Sequence, residues 1–244
     1  MYQRGVAHYR DQGVVLRTYR LGEADRIVVF ATRDHGKVRA VAKGVRRTRS
    51  RIGARLEPLS YVSLLLWKGR NLDTVTQVEV LDSFGPLRED LGKLSAASAI
   101  AEVADRIFQE GAVYTEMYVM LLRALSTLST CDSPMVVPAF FLKALAADGV
   151  GLVMDVCAGC GSAPPLAAFD PAEGGALCRS CRRGAAISEE ARGVMERIVS
   201  GGLAGVLAEK IPTGVVGEVR HLATEAMEHH LEARLRSIQL VEGA

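Results

Sequence analysis

The spacing of apolar residues changes once along the chain, close to Pro86. Before this point, apolar and polar residues alternate over short runs, which is the pattern of half-buried β-strands. After it, apolar residues recur every three or four positions, which predicts amphipathic helices. The pattern therefore predicts an α+β protein, in which a β-barrel is followed by an α-helical domain.

Five runs in the first part have the strand pattern, and turns such as Asp34-His-Gly36 and Gly69-Arg-Asn71 follow two of them. Five strands with one longer link between the third and fourth suit a small closed barrel. The OB-fold is the best-known barrel of that size, and an SH3-like barrel is the competing interpretation. The predicted strands are residues 13–19, 26–32, 37–43, 61–67 and 73–81.

Five helices are predicted in the second part, and residues typical of helix ends mark most of them. Pro86 suits a first helical position, whereas Ser133-Pro134 and Ser188 suit N-caps. The predicted helices are residues 86–108, 115–128, 134–148, 189–200 and 214–237. We therefore divide the chain into an OB-fold nucleic-acid-binding domain, residues 1–82, and a helical domain, residues 83–244.

Four cysteines interrupt the helical part as two C-x-x-C pairs, Cys157 with Cys160 and Cys178 with Cys181, 17 residues apart. This spacing is typical of a four-thiolate zinc site. Turn-forming residues fill the link between the pairs, so we predict a zinc ribbon at about residues 154–184 with one structural Zn²⁺ per chain. Four protein ligands leave no position for water or substrate. Two disulfides are the alternative interpretation, and Cys131 is not predicted to be a ligand.

The net charge of +2 conceals a marked asymmetry. Residues 1–80 hold 16 Lys and Arg against 7 Asp and Glu, a balance of +9, and the rest holds 14 against 21, a balance of −7. Two parts of opposite charge favour two domains with different partners.

The basic residues are concentrated between Lys37 and Arg55, where eight Lys and Arg occur without any Asp or Glu. In the third predicted strand the cations alternate with Val38, Ala40 and Ala42, so a barrel that buries the apolar set turns the cations outward. Arginine-rich surfaces bind phosphate oxygens, and without base-reading motifs such binding is independent of sequence. The predicted DNA-binding residues are Lys37, Arg39, Lys43, Arg46, Arg47, Arg49, Arg51 and Arg55; a solvated loop is the alternative.

Other sequence features limit the remaining classes of function. The candidates for base stacking, Phe30, Tyr19, Tyr61 and Trp67, are each predicted to be core residues. No nucleophile stands at a recognisable spacing from a base, so we do not predict an enzyme. No run of about 18 apolar residues occurs and the first residues are polar, so a cytoplasmic protein is expected.

Several segments together resemble the RecO family of bacterial recombination mediators. The segments are Gly13-Val-Val-Leu-Arg-Thr18, Leu21-Gly-Glu-Ala-Asp-Arg-Ile27, Asp34-His-Gly-Lys37, Ala42-Lys-Gly-Val-Arg-Arg47, Leu56-Glu-Pro-Leu59 and the two C-x-x-C pairs. The resemblance extends over essentially the whole chain from Tyr9. It implies an N-terminal OB-fold, a helical domain and, in zinc-bearing members, four cysteine ligands.

The resemblance also implies partners. RecO-like proteins bind single- and double-stranded DNA, anneal complementary strands, and act with RecR to load RecA on strands coated by single-strand-binding protein. They dock the C-terminal tail of that protein, which is acidic and ends in apolar residues. Such a tail needs an apolar pocket with a cationic rim. We chose Arg123 and Lys143 for the rim because each lies beside an apolar run.

Two other classes of function remain open from the residues. One is a zinc-ribbon factor that associates with RNA or the ribosome. The other is a scaffold protein that uses its basic loop to hold an acidic partner. The relative affinity for single-stranded DNA, matched RNA and a polyanion such as heparin separates the three.

Overall fold

The structure is a computed structural model that describes residues 8–45 and 52–240. The chain packs as two compact units that divide between Ser129 and Thr130. In the described residues, the first unit contains a five-stranded barrel and three helices, and the second contains four helices and a small sheet. The prediction of an α+β protein with an N-terminal barrel is confirmed.

The barrel has the strand order β1-β2-β3-β5-β4 and closes by pairing β4 with β1. All neighbours are antiparallel except β3 and β5, which run parallel at Ala40 with Asp73 and at Val41 with Thr74. This order, with one parallel closing contact, is that of an OB-fold, so the OB interpretation is confirmed over the SH3-like one. The strands are His8–Leu21 (β1), Asp25–Thr32 (β2), Gly36–Ala42 (β3), Tyr61–Trp67 (β4) and Asp73–Asp82 (β5).

Strand β1 is long enough to take part in both sides of the barrel. Its first half pairs with β4, from His8 to Val14, and its second half pairs mainly with β2. The register shifts between Val15 and Arg17, where the strand turns from one side to the other. Such a bulge increases the local bend and twist, which a small barrel needs in order to close.

Alternate residues of each strand fill the interior of the barrel. Val28, Phe30 and Val62 are fully buried there, and Leu56 enters from the short 3₁₀ turn Gly53–Leu56. In β3 the predicted alternation is confirmed, because Val38, Ala40 and Ala42 are buried while the intervening residues are at least partly exposed. The cations of β3 therefore lie outside the barrel.

Three helices follow the barrel in the first unit: Gly85–Glu89 (α1), Leu91–Ile107 (α2) and Thr115–Thr130 (α3). The prediction of one helix from Pro86 to Phe108 is wrong because the chain breaks at Asp90. This residue is extended, and its carboxylate accepts a hydrogen bond from the backbone N–H of Lys93 at 2.8 Å. It therefore ends α1 and serves as the N-cap of α2. The apolar stripe continues across the break, which is why periodicity did not show it.

The end of α2 covers part of the outer face of the barrel. Asp105 is 7% exposed, and its carboxylate forms ion pairs with Nε of Arg17 at 2.9 Å and with Nζ of Lys37 at 3.3 Å. The following linker approaches the turn before β3 so closely that a Cβ added to Gly36 would lie 1.9 Å from the carbonyl oxygen of Ala112. Gly36 also has a φ of +67°, so this position requires glycine for two reasons.

The second unit is built on α4, α5 and α7, which pack against one another. The three-stranded sheet β7-β6-β8 lies between α4 and α5 in the sequence, and the short helix α6 was not predicted. The elements are Val136–Ala147 (α4), Leu166–Asp170 (β6), Gly175–Cys178 (β7), Ala185–Ala186 (β8), Glu189–Val199 (α5), Leu203–Ala208 (α6) and Thr213–His230 (α7).

Two predicted helix ends in this unit are wrong. Ser133-Pro134 does not open α4, which begins at Val136, and Pro138 lies within the first turn, where its missing N–H has no helical partner to lose. The last helix ends at His230 rather than at residue 237. Glu232 adopts a φ of +48° just beyond it, and the backbone N–H of Ala233 bonds back to the carbonyl of Glu228. Glycine usually takes this left-handed position, and a glutamate there is not a recognisable signal for the end of a helix.

The predicted cap of α5 is confirmed and is part of a larger polar network. The hydroxyl of Ser188 accepts from the N–H of Ala191 at 3.2 Å and donates to Glu218 of α7 at 2.7 Å. One helical turn later, Arg192 is only 7% exposed. Its guanidinium donates to the carbonyl of Met154, just before the first cysteine pair. This network joins the ribbon to two helices.

Arg192 also donates to Glu189 at 2.6 Å and to Glu196 at 2.7 Å. We expect Arg192→Met to lower the free energy of unfolding by about 2 kcal/mol, because three acceptors lose their donor. The loss stays below that for a fully buried pair since both glutamates reach water. Urea unfolding measures it.

Arg197→Met is the matched control on the same helix. Arg197 pairs with Glu209 at 2.7 Å, but both side chains are about half exposed, so the change is expected to cost less than about 1 kcal/mol. Equal losses in the two variants would contradict the role given to Arg192.

Candidate metal centre and nucleic-acid surface

The four cysteine sulfurs of the second unit converge on one point. The Sγ atoms of Cys157, Cys160, Cys178 and Cys181 all lie within 4.8 Å of one another, and those of Cys160 and Cys178 are 3.8 Å apart. A tetrahedral ion with zinc–sulfur bonds of about 2.3 Å requires sulfurs about 3.8 Å apart. The spacing therefore fits a metal ion held by four thiolates. Cys131 is not part of this cluster.

A β-hairpin brings the second pair of cysteines back to the first. Strands β6 and β7 pair from Leu166 with Cys178 to Asp170 with Gly175, and the N–H of Gly174 closes the turn on the carbonyl of Pro171. This is the predicted ribbon. A Cβ on Gly175 would lie 2.1 Å from the carbonyl oxygen of Val153, so only glycine lets the chain before the first pair run alongside the hairpin.

Hydrogen bonds and neighbouring sulfurs shift the cysteine pKa values in opposite directions. The backbone N–H of Cys178 approaches the sulfur of Cys157 at 3.3 Å and lowers the pKa of that thiol to about 6. Hydrogen bonding with Cys160 and the other sulfurs raises the pKa of Cys181 to about 12. Crowding of four sulfurs thus opposes the ionisation of all four thiols at once. A divalent metal ion that binds there takes the place of protons.

Of the eight residues predicted to bind DNA, the structure describes Lys37, Arg39, Lys43 and Arg55. Arg46, Arg47, Arg49 and Arg51 lie outside the described residues. The side chain of Lys37 is 18% exposed and is bound to Asp105, so it is the least available of the rest. Arg39 is exposed on β3, with Glu110 at 3.7 Å, and Lys43 is exposed in the turn after that strand.

Arg39 and Lys37 line a cleft of about 230 Å³ between β3 and the β4–β5 loop, residues 68–72; we call it the loop cleft. Two further cations of that loop, Lys68 and Arg70, line it and were missed by the prediction. Asp73 fixes the loop, because its carboxylate accepts from the N–H of Gly69 at 2.9 Å. The turn signal at residues 69–71 was noted in the sequence, but turn residues alone do not show which strand they approach.

Arg55 does not line the loop cleft. It lines a separate cleft of about 720 Å³ on the outer face of β1, β4 and β5, which we call the strand cleft. Among the predicted residues that the structure describes, Lys37 and Arg39 therefore line one cleft and Arg55 lines the other.

The aromatic residues differ in part from the prediction. Phe30 is fully buried, and Tyr61 is partly buried and donates to the side chain of Gln12 at 2.7 Å. Tyr19 and Trp67 are 43% and 44% exposed, so the prediction that they are core residues is wrong. Both point away from the interior because they occupy outward positions of their strands.

The two residues chosen for a partner site belong to different units. Arg123 is exposed on α3, one turn beyond Val119, which is 39% exposed. Lys143 is partly buried on α4, and its ammonium lies 3.5 Å from the carbonyl of Val199. The apolar run next to it, Phe140-Phe-Leu142, is buried in the core. Arg123 therefore has an exposed apolar neighbour, whereas the run beside Lys143 is not accessible.

Models of the RecO family match nearly the whole chain. The model of the recombination protein O N terminal matches residues 6–84, and that of the recombination protein O C terminal matches residues 88–239. A protein of Frankia casuarinae named DNA repair protein RecO is 40% identical over 242 residues, which cover 97% of this chain and 99% of that protein. This chain belongs to the RecO family.

A role in DNA repair follows from RecO membership, and RecO proteins are a family of recombination mediators rather than a known enzyme family. The barrel and the cysteine cluster are the structural parts that the resemblance implied. Among the helices that the structure describes, none is long and apolar enough to cross a membrane.

The cysteine cluster leads to a direct test. We expect one zinc ion per chain in metal analysis, and its loss in Cys160→Ala, because three thiolates bind zinc less tightly than four. Structural zinc contributes on the order of 10 kcal/mol to its fold. Amide hydrogen exchange should therefore speed up in β6 and β7 while the barrel strands stay protected.

Cys131→Ala is the matched control, since it removes a thiol outside the cluster. It should keep its zinc. Loss of zinc from this variant, or retention in Cys160→Ala, would contradict the assignment.

Proposed function

We propose that this RecO-family chain binds single- and double-stranded DNA without sequence preference and anneals complementary strands. In this role it acts with RecR to load RecA on strands coated by single-strand-binding protein. We place the protein in the cytoplasm, associated with the nucleoid. The observation that carries the proposal is the loop cleft, where an OB-type barrel presents Arg39, Lys68 and Arg70 together. The carboxylates of Asp34, Asp73 and Glu110 also line it, and the last two pair with Lys68 and Arg39.

The position of this cleft supports nucleic-acid binding. In OB-folds, oligonucleotides bind across strands 2 and 3 and between the β1–β2 and β4–β5 loops. The loop cleft lies between β3 and the β4–β5 loop, so its cations are where such a strand passes. The arginine-rich segment with Arg46, Arg47, Arg49 and Arg51 belongs to the same proposal by its sequence, as do Lys43 and Arg55.

Annealing is a task that this surface can perform without covalent chemistry. Two phosphate backbones repel each other until cations neutralise them, and guanidinium groups bind phosphate oxygens of any sequence. The acidic part of the chain, with its balance of −7, is better suited to protein partners than to DNA.

We also propose that zinc occupies the four-cysteine cluster and has a structural role. All four donors are thiolates, which favour zinc over Mg²⁺ or Ca²⁺. The ion would hold both ends of the hairpin and stabilise the local fold. It would not bind DNA itself.

The loop cleft is tested with Arg39→Gln combined with Arg70→Gln. Loss of two phosphate contacts should reduce the slope of log affinity against log salt by about 1.4 on single strands and about 1.8 on duplexes. All sequences should be affected alike. Fluorescence anisotropy at several salt concentrations measures both effects.

Arg197→Gln combined with Lys210→Gln is the control, because both cations are exposed in the second unit and line neither cleft. An equal change in this variant would assign the effect to net charge alone. Tighter binding to matched RNA than to DNA would instead support the RNA- or ribosome-associated alternative.

The partner proposal concerns the acidic C-terminal tail of single-strand-binding protein, with Arg123 and Lys143 as the cationic rim. We expect Arg123→Glu to weaken a labelled tail peptide by at least about tenfold, because it removes a charge-assisted contact beside exposed Val119. Lys143→Glu should have the smaller effect, since its apolar neighbours are buried. If neither change weakens the peptide while DNA binding stays normal, this pair is not the rim.

A further inference from the structure

The outer face of β1, β4 and β5 carries a continuous strip of groups that suit single-stranded DNA. Cross-strand pairing places Arg10, Leu65 and Gln77 in one row. The next outward row toward the β4–β5 loop contains His8, Trp67 and Thr74. The register shifts between Leu65 and Leu66, so the extra residue of the bulge falls between these rows. An aromatic row and an arginine row therefore lie next to each other on one face.

The strand cleft opens on this face. Its volume of about 720 Å³ is within the range of about 300–1,000 Å³ typical of ligand sites. It has no lining residue in common with the loop cleft. The residues on which the argument depends are Arg10, Arg55, Ser63, Leu65, Gln77 and Glu79.

The two arginines offer the same N–H donors, but only Arg55 is held in place by a hydrogen bond to the backbone. Arg55 is exposed, but one of its nitrogens donates to the carbonyl of Val78 at 3.0 Å, which holds the guanidinium over the cleft. A guanidinium has five N–H donors, so most remain for a ligand. Arg10 is exposed on β1 and makes no ion pair within the described part of the chain. Two cations with several donors each suit phosphate oxygens.

Trp67 supplies a surface for base stacking beside these cations. Its ring is 5.3 Å from that of His8, and the residue is 44% exposed. The two rings are tilted by 57° rather than stacked, so the exposed part of the Trp67 ring is free to take a base on its face. Proteins that bind single strands without sequence preference combine this kind of aromatic surface with a cationic groove.

We propose that the strand cleft, together with Trp67, is a second binding site for single-stranded DNA on the same barrel. The inference rests on the proposed function, because it assigns a further DNA site to a DNA-binding protein. One DNA strand occupies the loop cleft, and the second DNA strand follows the outer face of β1, β4 and β5. A barrel that holds two strands brings both to one protein before they pair.

The cleft also contains one group that opposes DNA. Glu79 is exposed on β5, in the row with Gln12 and Ser63, and its carboxylate repels phosphate. The site is therefore expected to bind weakly enough to release its strand. Removing the charge of Glu79 should therefore strengthen DNA binding, whereas reversing the charge of Arg10 should weaken it.

The chain offers a specific probe because Trp67 is its only tryptophan. We expect oligothymidylate to quench the intrinsic fluorescence of the full-length protein as a base stacks on Trp67. Arg10→Glu should move the midpoint of quenching to at least about tenfold higher DNA concentration. Glu79→Gln should move it to lower concentration.

Two comparisons separate this site from the rest of the protein. Lys210→Glu makes the same charge change in the second unit, outside both clefts, and it should move the midpoint much less than Arg10→Glu. The combined Arg39→Gln and Arg70→Gln variant should leave the Trp67 titration near its wild-type midpoint. Native mass spectrometry should find two short oligothymidylates per wild-type chain and one per Arg10→Glu chain.

Several results would overturn the proposal. If the loop-cleft variant abolished quenching and Arg10→Glu did not, Trp67 would report on the loop cleft. If anisotropy showed DNA binding without quenching, this face would not be a DNA site, although the proposed function would stand. If poly-L-glutamate quenched Trp67 as well as DNA does, the cleft would suit an acidic protein segment. Absence of all DNA binding would refute the proposed function itself.

Discussion

Closure of the barrel is the constraint on which the arrangement of this protein depends. Five short strands close only if β1 pairs with β4 along its first half and with β2 along its second. The bulge between Val15 and Arg17 makes that change of direction possible. As a result, outward residues of one strand face two different surroundings. Arg10 lines the strand cleft, whereas Arg17 meets Asp105 of α2.

The same closure determines how the positive charge of the first part is used. A balance of +9 over residues 1–80 does not give nine cations available to DNA. Arg17 and Lys37 are both bound to Asp105, and a buried carboxylate needs such partners. Among the described residues of this part, Arg10, Arg39 and Arg55 stay exposed and line the two clefts. Net charge therefore indicates the kind of partner, while the packing of α2 decides which cations can reach it.

In the second unit, the ribbon with its four-cysteine cluster is joined to the helical core through a few polar contacts. Arg192 connects α5 to the chain just before Cys157, and Ser188 connects the end of the sheet to Glu218 of α7. These contacts hold the entry and exit of the ribbon, while the thiolate cluster holds its interior. The hairpin is short, and a sheet of this size has little apolar area of its own. We therefore expect both kinds of support to contribute to the order of the ribbon.

The sequence by itself determined the features that depend on local spacing. Alternation predicted all five strands and the outward cations of β3, and the C-x-x-C spacing predicted the four ligands, because both are periodic and local. It failed where a break carries no usual signal, as at Asp90 and Glu232. The tertiary structure alone decided that Arg39 and Arg70 line one cleft, that Arg10 and Arg55 line another, and that Lys37 pairs with Asp105 of α2. These pairings depend on strand order and register, and residues far apart in a single sequence carry no mark of either.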